Sequence, residues 1–249
     1  MCEAKSSPSA RVFHFEGISE RNISPMPPPK PFTPSSVTSY LIAILQSSEH
    51  TPYIGEPISQ LAHSLQAGHL ALSATKPSAN DETIVAALLH DIGQFAPQAD
   101  LLALLDGMDT SVRDMDPGGG SVGRYSHDEL GSRFLAALGF PAKTCTLVGE
   151  HVNAKRYLCG VDAAYYDLLS EASKESLEFQ GGPMEKHEKE LYDERFGAEW
   201  VRDICRLRNW DDGAKVETLS MSEIEGLDRY EGMIERVLER AELKAKPVS

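Results

Sequence analysis

From residue 36 onward, apolar positions recur mostly at helical spacing, and no stretch alternates strictly enough to suggest a strand. The first periodic segment, SSVTSYLIAILQSSEH, opens on serines suited to cap a helix and puts Tyr40, Leu41, Ile44 and Leu45 on one face. Further helices are expected near 57–74, 80–92, 97–106, 127–138, 141–155, 184–209 and 221–243, joined by turns carrying Gly or Pro. The pattern predicts an all-α fold with one helical domain over 36–243 and a short tail at 244–249. Residues 1–35 are rich in Ser and Pro, including Pro27, Pro28, Pro29, Pro31 and Pro34, and read as a flexible leading segment. Between Asp106 and His127 runs GMDTSVRDMDPGGGSVGRYS, whose acidic residues and three glycines predict a mobile surface loop, either a lid or a tolerated insertion.

Composition narrows the classes. Hydrophobic residues make up 41% of 249, and no apolar run approaches the ~20 residues that a membrane span needs. With no secretory signal visible in MCEAKSSPSARVFHF, a cytoplasmic location without membrane attachment is expected. A net charge of -14 argues against a nucleic-acid-binding surface, while leaving room for a basic pocket inside an acidic body. The cysteines, Cys2, Cys145, Cys159 and Cys205, form no C-x-x-C pair and are read as reduced thiols. Oligomeric state is left open.

The most informative stretch is ETIVAALLHDIGQF, an apolar helix delivering adjacent His90 and Asp91 before Gly93 interrupts it. Imidazole and carboxylate are both good ligands for iron, manganese or zinc, and neighbouring residues can face two metals if the aspartate bridges. Alone, a His-Asp pair says little. Around it stand His63 in EPISQLAHSLQ, His127 in YSHDELGSRFL, His151 in VGEHVNAKRYL and Asp211 in RLRNWDDGAKV, each at or near an expected helix. Several helices could each aim one ligand into a shared interior, giving six ligands for two metals. The order H...HD...H...H...D is that of the HD superfamily.

Over about residues 53–217 the chain resembles the HD-domain mixed-valent diiron oxygenases that cleave organophosphonates, and more distantly myo-inositol oxygenase. The resemblance lies in YIGEPISQLAHSLQ, LLHDIGQF, SHDELGSRFLAALGFP, EHVNAKRYL, SKESLEFQGGPM and LRNWDDGAK. It implies a helical bundle with a dinuclear site whose ligands are His63, His90, Asp91, His127, His151 and Asp211, with Asp91 as the bridge. The implied cofactor is two Fe ions in an Fe(II)/Fe(III) state, with O2 as co-substrate. Tyr53 and Glu56 match a mobile Tyr-x-x-Glu pair in which the tyrosine covers an iron until substrate arrives; otherwise they are a turn aromatic and a carboxylate at a helix N-terminus. Lys155, Ser173 and Arg208 match positions around the substrate's phosphonate, and their residue types suit an anion. Lys155, four residues after His151, would share its helix face. Gln60 is a further pocket candidate or a core amide.

One position departs from the family pattern. Many relatives have HDxxH, with the last histidine reaching substrate, whereas Gln94 stands here, able to hydrogen-bond but not to carry charge. The implied function is O2-dependent oxidation of a small hydroxylated anion, a 1-hydroxyphosphonate with C–P cleavage or a related organic acid. An HD phosphohydrolase using the same ligands to activate water is the alternative. A non-catalytic binding protein is the third reading.

Overall fold

The computed structural model describes residues 26–28, 30–53, 55–105, 113–118 and 120–245. Eleven helices form among them: α1 (Pro34–Ser47), α2 (Gln60–Ser73), α3 (Asp81–Leu89), α4 (Ile92–Phe95), α5 (Gln98–Leu104), α6 (His127–Ala137), α7 (Ala142–Val161), α8 (Ala163–Leu168), α9 (Glu171–Phe179), α10 (Lys186–Gly213) and α11 (Leu227–Ala245). No sheet forms among the described residues, only isolated bridges such as Asp114 with Arg124. Among the described residues, no helix is long and apolar enough to cross a membrane.

The centre of the bundle is α3. Every residue from Thr83 to Leu89 is buried, as its all-round apolar sequence requires, and α2, α7, α10 and α11 pack around it. Side-chain caps fix where the helices start. Thr33 and Ser36 form a reciprocal capping box on α1, Ser59 caps α2, and Asn80 caps α3. Since Ser59 is the cap, residues 57–59 lie in a turn and Glu56 is outside the helix, which removes the helix-dipole explanation for that carboxylate.

Several expected boundaries move. The break in the His-Asp helix falls at His90 and Asp91 themselves, and Gly93 lies inside the next turn, α4. Gly93 serves a different purpose: a Cβ there would sit 2.0 Å from the backbone oxygen of His127, so only glycine lets α4 and α6 approach this closely. The segment expected at 141–155 continues to Val161, and the one expected at 184–209 reaches Gly213 across a kink at Gly197. Residues 221–226 precede α11 rather than opening it. The short α8 and α9 were not anticipated. The loop before His127 is also not a free surface loop over its described part: Met115 is 1% exposed, and 113–125 folds back on itself as a small hairpin. Residues 106–112, 119 and Cys2 lie outside the described residues; Cys145, Cys159 and Cys205 are free thiols.

Within the core, Tyr40 of α1 donates to the Asp100 carboxylate of α5 at 2.6 Å, and both residues are buried. Burial and this neighbour push the phenol above its ordinary value. Tyr40→Phe would leave the carboxylate without its donor and should destabilise the protein by about 1–3 kcal/mol, read as a lower urea midpoint. An unchanged midpoint would show that this bond adds nothing.

Candidate metal centre and anion pocket

Four helix-borne imidazoles converge on Asp91. His63 of α2 and His90 at the end of α3 place their Nε2 atoms 3.0 Å apart; His127 of α6 and His151 of α7 do the same at 3.1 Å. Asp91 Oδ2 lies 3.6 and 3.5 Å from the first pair, and its Oδ1 lies 3.5 and 3.4 Å from the second. Asp211 completes the first group, with Oδ1 at 3.3 Å from His63 and 3.6 Å from His90. All six residues are at most 5% exposed.

The tautomers follow from the backbone. Each Nδ1–H donates to a carbonyl: His63 to Ala214 at 2.8 Å, His90 to Ala87 at 2.8 Å, His127 to Arg124 at 2.9 Å and His151 to Val148 at 2.7 Å. All four Nε2 lone pairs therefore point inward. Paired lone pairs at about this separation repel unless a cation lies between them, and Asp211 Oδ1 is a buried acceptor with no hydrogen-bond donor. The set divides into His63, His90, Asp211 and Asp91, His127, His151, each compact enough for one ion. This donor chemistry fits two metal ions bridged by Asp91, with outer carbonyls fixing each imidazole. Burial disfavours a charge on His90, but Asp91 and Asp211 hold its imidazole up to about 9, so these carboxylates draw positive charge, a proton or a metal ion, to its inward nitrogen. Burial would raise the Asp91 and Asp211 carboxyls, but His90 and His151 hold the first, and Arg208 and His90 the second, below the usual range.

Above these ligands is a chamber with about 50 Å³ of free space. Every other residue singled out from the sequence lines it: Tyr53, Glu56, Gln60, Gln94, Lys155, Ser173 and Arg208. The Tyr53 ring stacks on His63 with centroids 3.8 Å apart and planes 19° apart. Burial, Asp211 and Asp91 push its phenol well above the ordinary value. Glu56 and Gln60 each present a buried Oε1 with no partner.

Lys155 is 2% exposed and donates to Ser173 O at 3.1 Å and Ser176 Oγ at 2.8 Å. Burial, followed by Arg208, pushes its ammonium down to about 7. Arg208 is more committed than its residue type suggested. It binds Asp211 at 2.6 Å and Asp212 through two further nitrogens, so it holds a metal ligand in place while facing the chamber. Gln94 is committed too, its Oε1 accepting from Arg124 N–H at 2.8 Å. Sequence reasoning missed Lys215, which donates to Ser173 Oγ at 2.9 Å and lies 5.9 Å from the Tyr53 ring centre. Its signal was available: it follows Asp211 by four residues, as Lys155 follows His151. Ser176 and Gln180 also line the chamber and were not picked out.

The HD domain family matches residues 61–175, which carry five of the six inward-facing ligands. The sixth, Asp211 of the first group, is added by α10. Over 84% of its length the chain is 34% identical to a hydroxymethylphosphonate dioxygenase of Gimesia maris, covering 92% of that protein. It is 32% identical over 72% of its length to a [1-hydroxy-2-(trimethylamino)ethyl]phosphonate dioxygenase, glycine-betaine-forming, of Leisingera caerulea, covering 81% of it. An uncharacterised protein of Acanthamoeba polyphaga mimivirus is 31% identical over 78% of each chain. The site and fold are thus those of an HD-domain metalloenzyme. More narrowly, the chain belongs to the HD-domain phosphonate dioxygenases, a family of oxidoreductases.

Removing ligands should separate these roles. Asp91→Ala, which deletes the atom pair facing both histidine groups, and His90→Ala should each lose at least one metal equivalent by elemental analysis. Arg208→Ala should also lower metal content, because Asp211 loses its partner, whereas Lys155→Ala should retain the wild-type content. Two full equivalents in both ligand variants would reject the assignment.

Proposed function

We propose that the protein is a diiron dioxygenase that oxidises a small 1-hydroxyphosphonate and breaks its C–P bond. The observation that carries this reading is the meeting, in one small chamber, of a bridged double ligand set and three cationic side chains, Lys155, Arg208 and Lys215. A doubly charged phosphonate satisfies such a cluster better than a neutral substrate. The relatives' names supply the reaction class.

The chemistry balances without an external reductant. A 1-hydroxyphosphonate and one O2 give a carboxylic acid and phosphate. The C–H and C–P bonds supply two electrons each, and each product gains one oxygen atom in the net reaction. We assign the bound metals as iron, in a mixed Fe(II)/Fe(III) state that supplies the O2 chemistry. The chain's own residues bind and orient. His63, His90, Asp91, His127, His151 and Asp211 hold the irons; Lys155, Lys215, Ser173 and Arg208 take the phosphonate oxygens; Gln60 and Glu56 offer acceptors to the substrate's hydroxyl. Lys155, depressed toward 7 by burial, is partly neutral at pH 8 in the free protein. An arriving anion raises its pKa, so binding at that pH should take up a proton.

The reading is tested on anaerobically prepared, iron-loaded protein by electron paramagnetic resonance with and without hydroxyphosphonates. A mixed-valent signal that changes on substrate addition, and phosphate release that requires O2, are expected. Phosphate release under strict anaerobiosis would instead make the protein a hydrolase.

Tyr53 and Glu56 form the cover of this site. Tyr53→Phe keeps most of the ring's bulk but removes the phenolic oxygen, so both irons should remain while substrate-free oxidation by O2 accelerates. Glu56→Gln should move the resting iron spectrum in the same sense. Unchanged spectra and O2 reactivity in both variants would reduce the pair to ordinary turn residues.

A further inference from the structure

A second cover lies over the chamber. Residues 113–118 and 120–125 pair as a hairpin, with Met115 N–H donating to Gly123 O at 2.8 Å, Val122 N–H to Met115 O at 2.7 Å and Tyr125 N–H to Arg113 O at 2.8 Å. Its second strand is clasped to the turn after Asp91. Arg124 N–H donates to Gln94 Oε1 at 2.8 Å, and Arg124 Nη1 donates to the Gly93 and Ala96 carbonyls at 3.0 Å each. The fit is tight: a Cβ on Gly123, whose φ is +119°, would lie 2.9 Å from Gln94 Nε2 and 3.2 Å from Met115 Cε. Met115, Val122 and Gly123 form a wall of the chamber. On its outer side is a groove of about 520 Å³, and Val122 and Ala172 belong to both spaces, so these two side chains are the partition.

We infer that this Gln94-latched hairpin fixes the length of the substrate's carbon chain, so that the site takes a 1-hydroxyphosphonate with hydrogen or a small uncharged group on the hydroxyl-bearing carbon and excludes a quaternary ammonium tail. The inference rests on the proposed function for the phosphonate itself. The chamber's free space of about 50 Å³ is a tenth of the 520 Å³ of the groove on the other side of the hairpin wall. Movement of Tyr53 enlarges the chamber on the His63 side, while the hairpin wall stays pinned by its hydrogen bonds to α4 and its flank. The chemistry of that wall points the same way. A trimethylammonium group is bound by aromatic faces, yet the wall offers a thioether, an isopropyl group and a glycine. Tyr53 is the single Phe, Tyr or Trp among the described lining residues, and Glu56, the one carboxylate besides the ligands, belongs to the Tyr53 turn. Gln94 acts here as a positioning residue: its oxygen is used by Arg124.

The test compares hydroxymethylphosphonate with 1-hydroxy-2-(trimethylammonio)ethylphosphonate on the iron-loaded full chain, by kcat/KM and by calorimetric affinity. Wild type should prefer the smaller compound by roughly tenfold or more, as one-sided steric exclusion gives. Val122→Ala, at a partly exposed position that tolerates truncation, and Met115→Ala should each shrink that preference several-fold. Gln94→Ala should shrink it too and speed hydrogen exchange at the Arg124 amide, while Gln94→Glu, which keeps the acceptor, should preserve the slow exchange. Equal handling of the two compounds by wild type, or an unchanged ratio in all the truncations, overturns the inference. If neither compound is oxidised, the proposed function fails, and the two calorimetric affinities still decide the steric claim, since equal affinities would overturn it.

Discussion

Asp91 sits in the protein interior with one carboxylate oxygen toward His63 and His90 and the other toward His127 and His151. Burying a carboxylate is costly unless compensating charge or donors surround it, and here the neighbours are nitrogen lone pairs already turned inward by backbone carbonyls. Positive charge between the imidazoles and the carboxylates stabilises such an arrangement, and the carbonyls of Ala214, Ala87, Arg124 and Val148 orient the rings for it. This explains why α3 must end where it does. Continued helix would carry His90 and Asp91 onto faces 100° apart, as helical geometry dictates; the break at Asp91, with φ -96° and ψ 12°, lets both converge. Gly93 then brings the next turn against the backbone that carries His127.

The same concentration of charge organises the chamber. An acidic chain with net charge -14 places three cations around one small space. Arg208 is neutralised by Asp211 and Asp212, and its presence secures the ligand on α10. Lys155 has no carboxylate within bonding distance; its partners are a carbonyl and a hydroxyl, and burial lowers its affinity for a proton. A lysine in that setting gains more from an arriving anion than a paired arginine does. On the proposed function, Lys155 would therefore contribute more to binding an anion than Arg208, with Ser173 placed between it and Lys215.

The convergence of the six candidate ligands was legible in the sequence because each is a residue type with few structural alternatives at a buried position at or beside a helix, and six such positions occur in one order. The long periodic helices were legible for the same reason. What escaped notice lacked a periodic signal. In α9 the buried residues are Ser173, Ser176 and Leu177, so its inner face is mostly hydroxyl and reads as surface. The hairpin at 113–125 looked mobile because glycines and aspartates dominate its composition, whereas the decisive bonds come from single residues distant in sequence, Gln94 and Arg124. The Arg208 assignment was incomplete because spacing alone could not tell whether its guanidinium faced substrate or the carboxylates of its own helix.

The two covers of the chamber differ in how they are held, and that difference assigns their roles. The hairpin wall is secured by a side-chain latch and two carbonyl contacts to a segment that is itself fixed by a metal ligand. The Tyr53 turn is held by short-range backbone bonds, Tyr53 N–H to Ile58 O and Glu56 N–H to Tyr53 O, and it carries a buried carboxylate oxygen without a partner. An unsatisfied buried acceptor raises the free energy of the closed turn by roughly 1–3 kcal/mol relative to a state in which it is bonded. Gly55, at φ +78° and with its would-be Cβ 2.3 Å from that of Ala172, closes this turn against α9 by fit alone. The Tyr53 turn has, besides these, the stack of Tyr53 on His63, whereas the hairpin is tied to another segment by hydrogen bonds. On the proposed function, a substrate whose hydroxyl donates to Glu56 would satisfy that acceptor in the closed turn, so recognition would close this wall over the substrate while the other wall holds its shape.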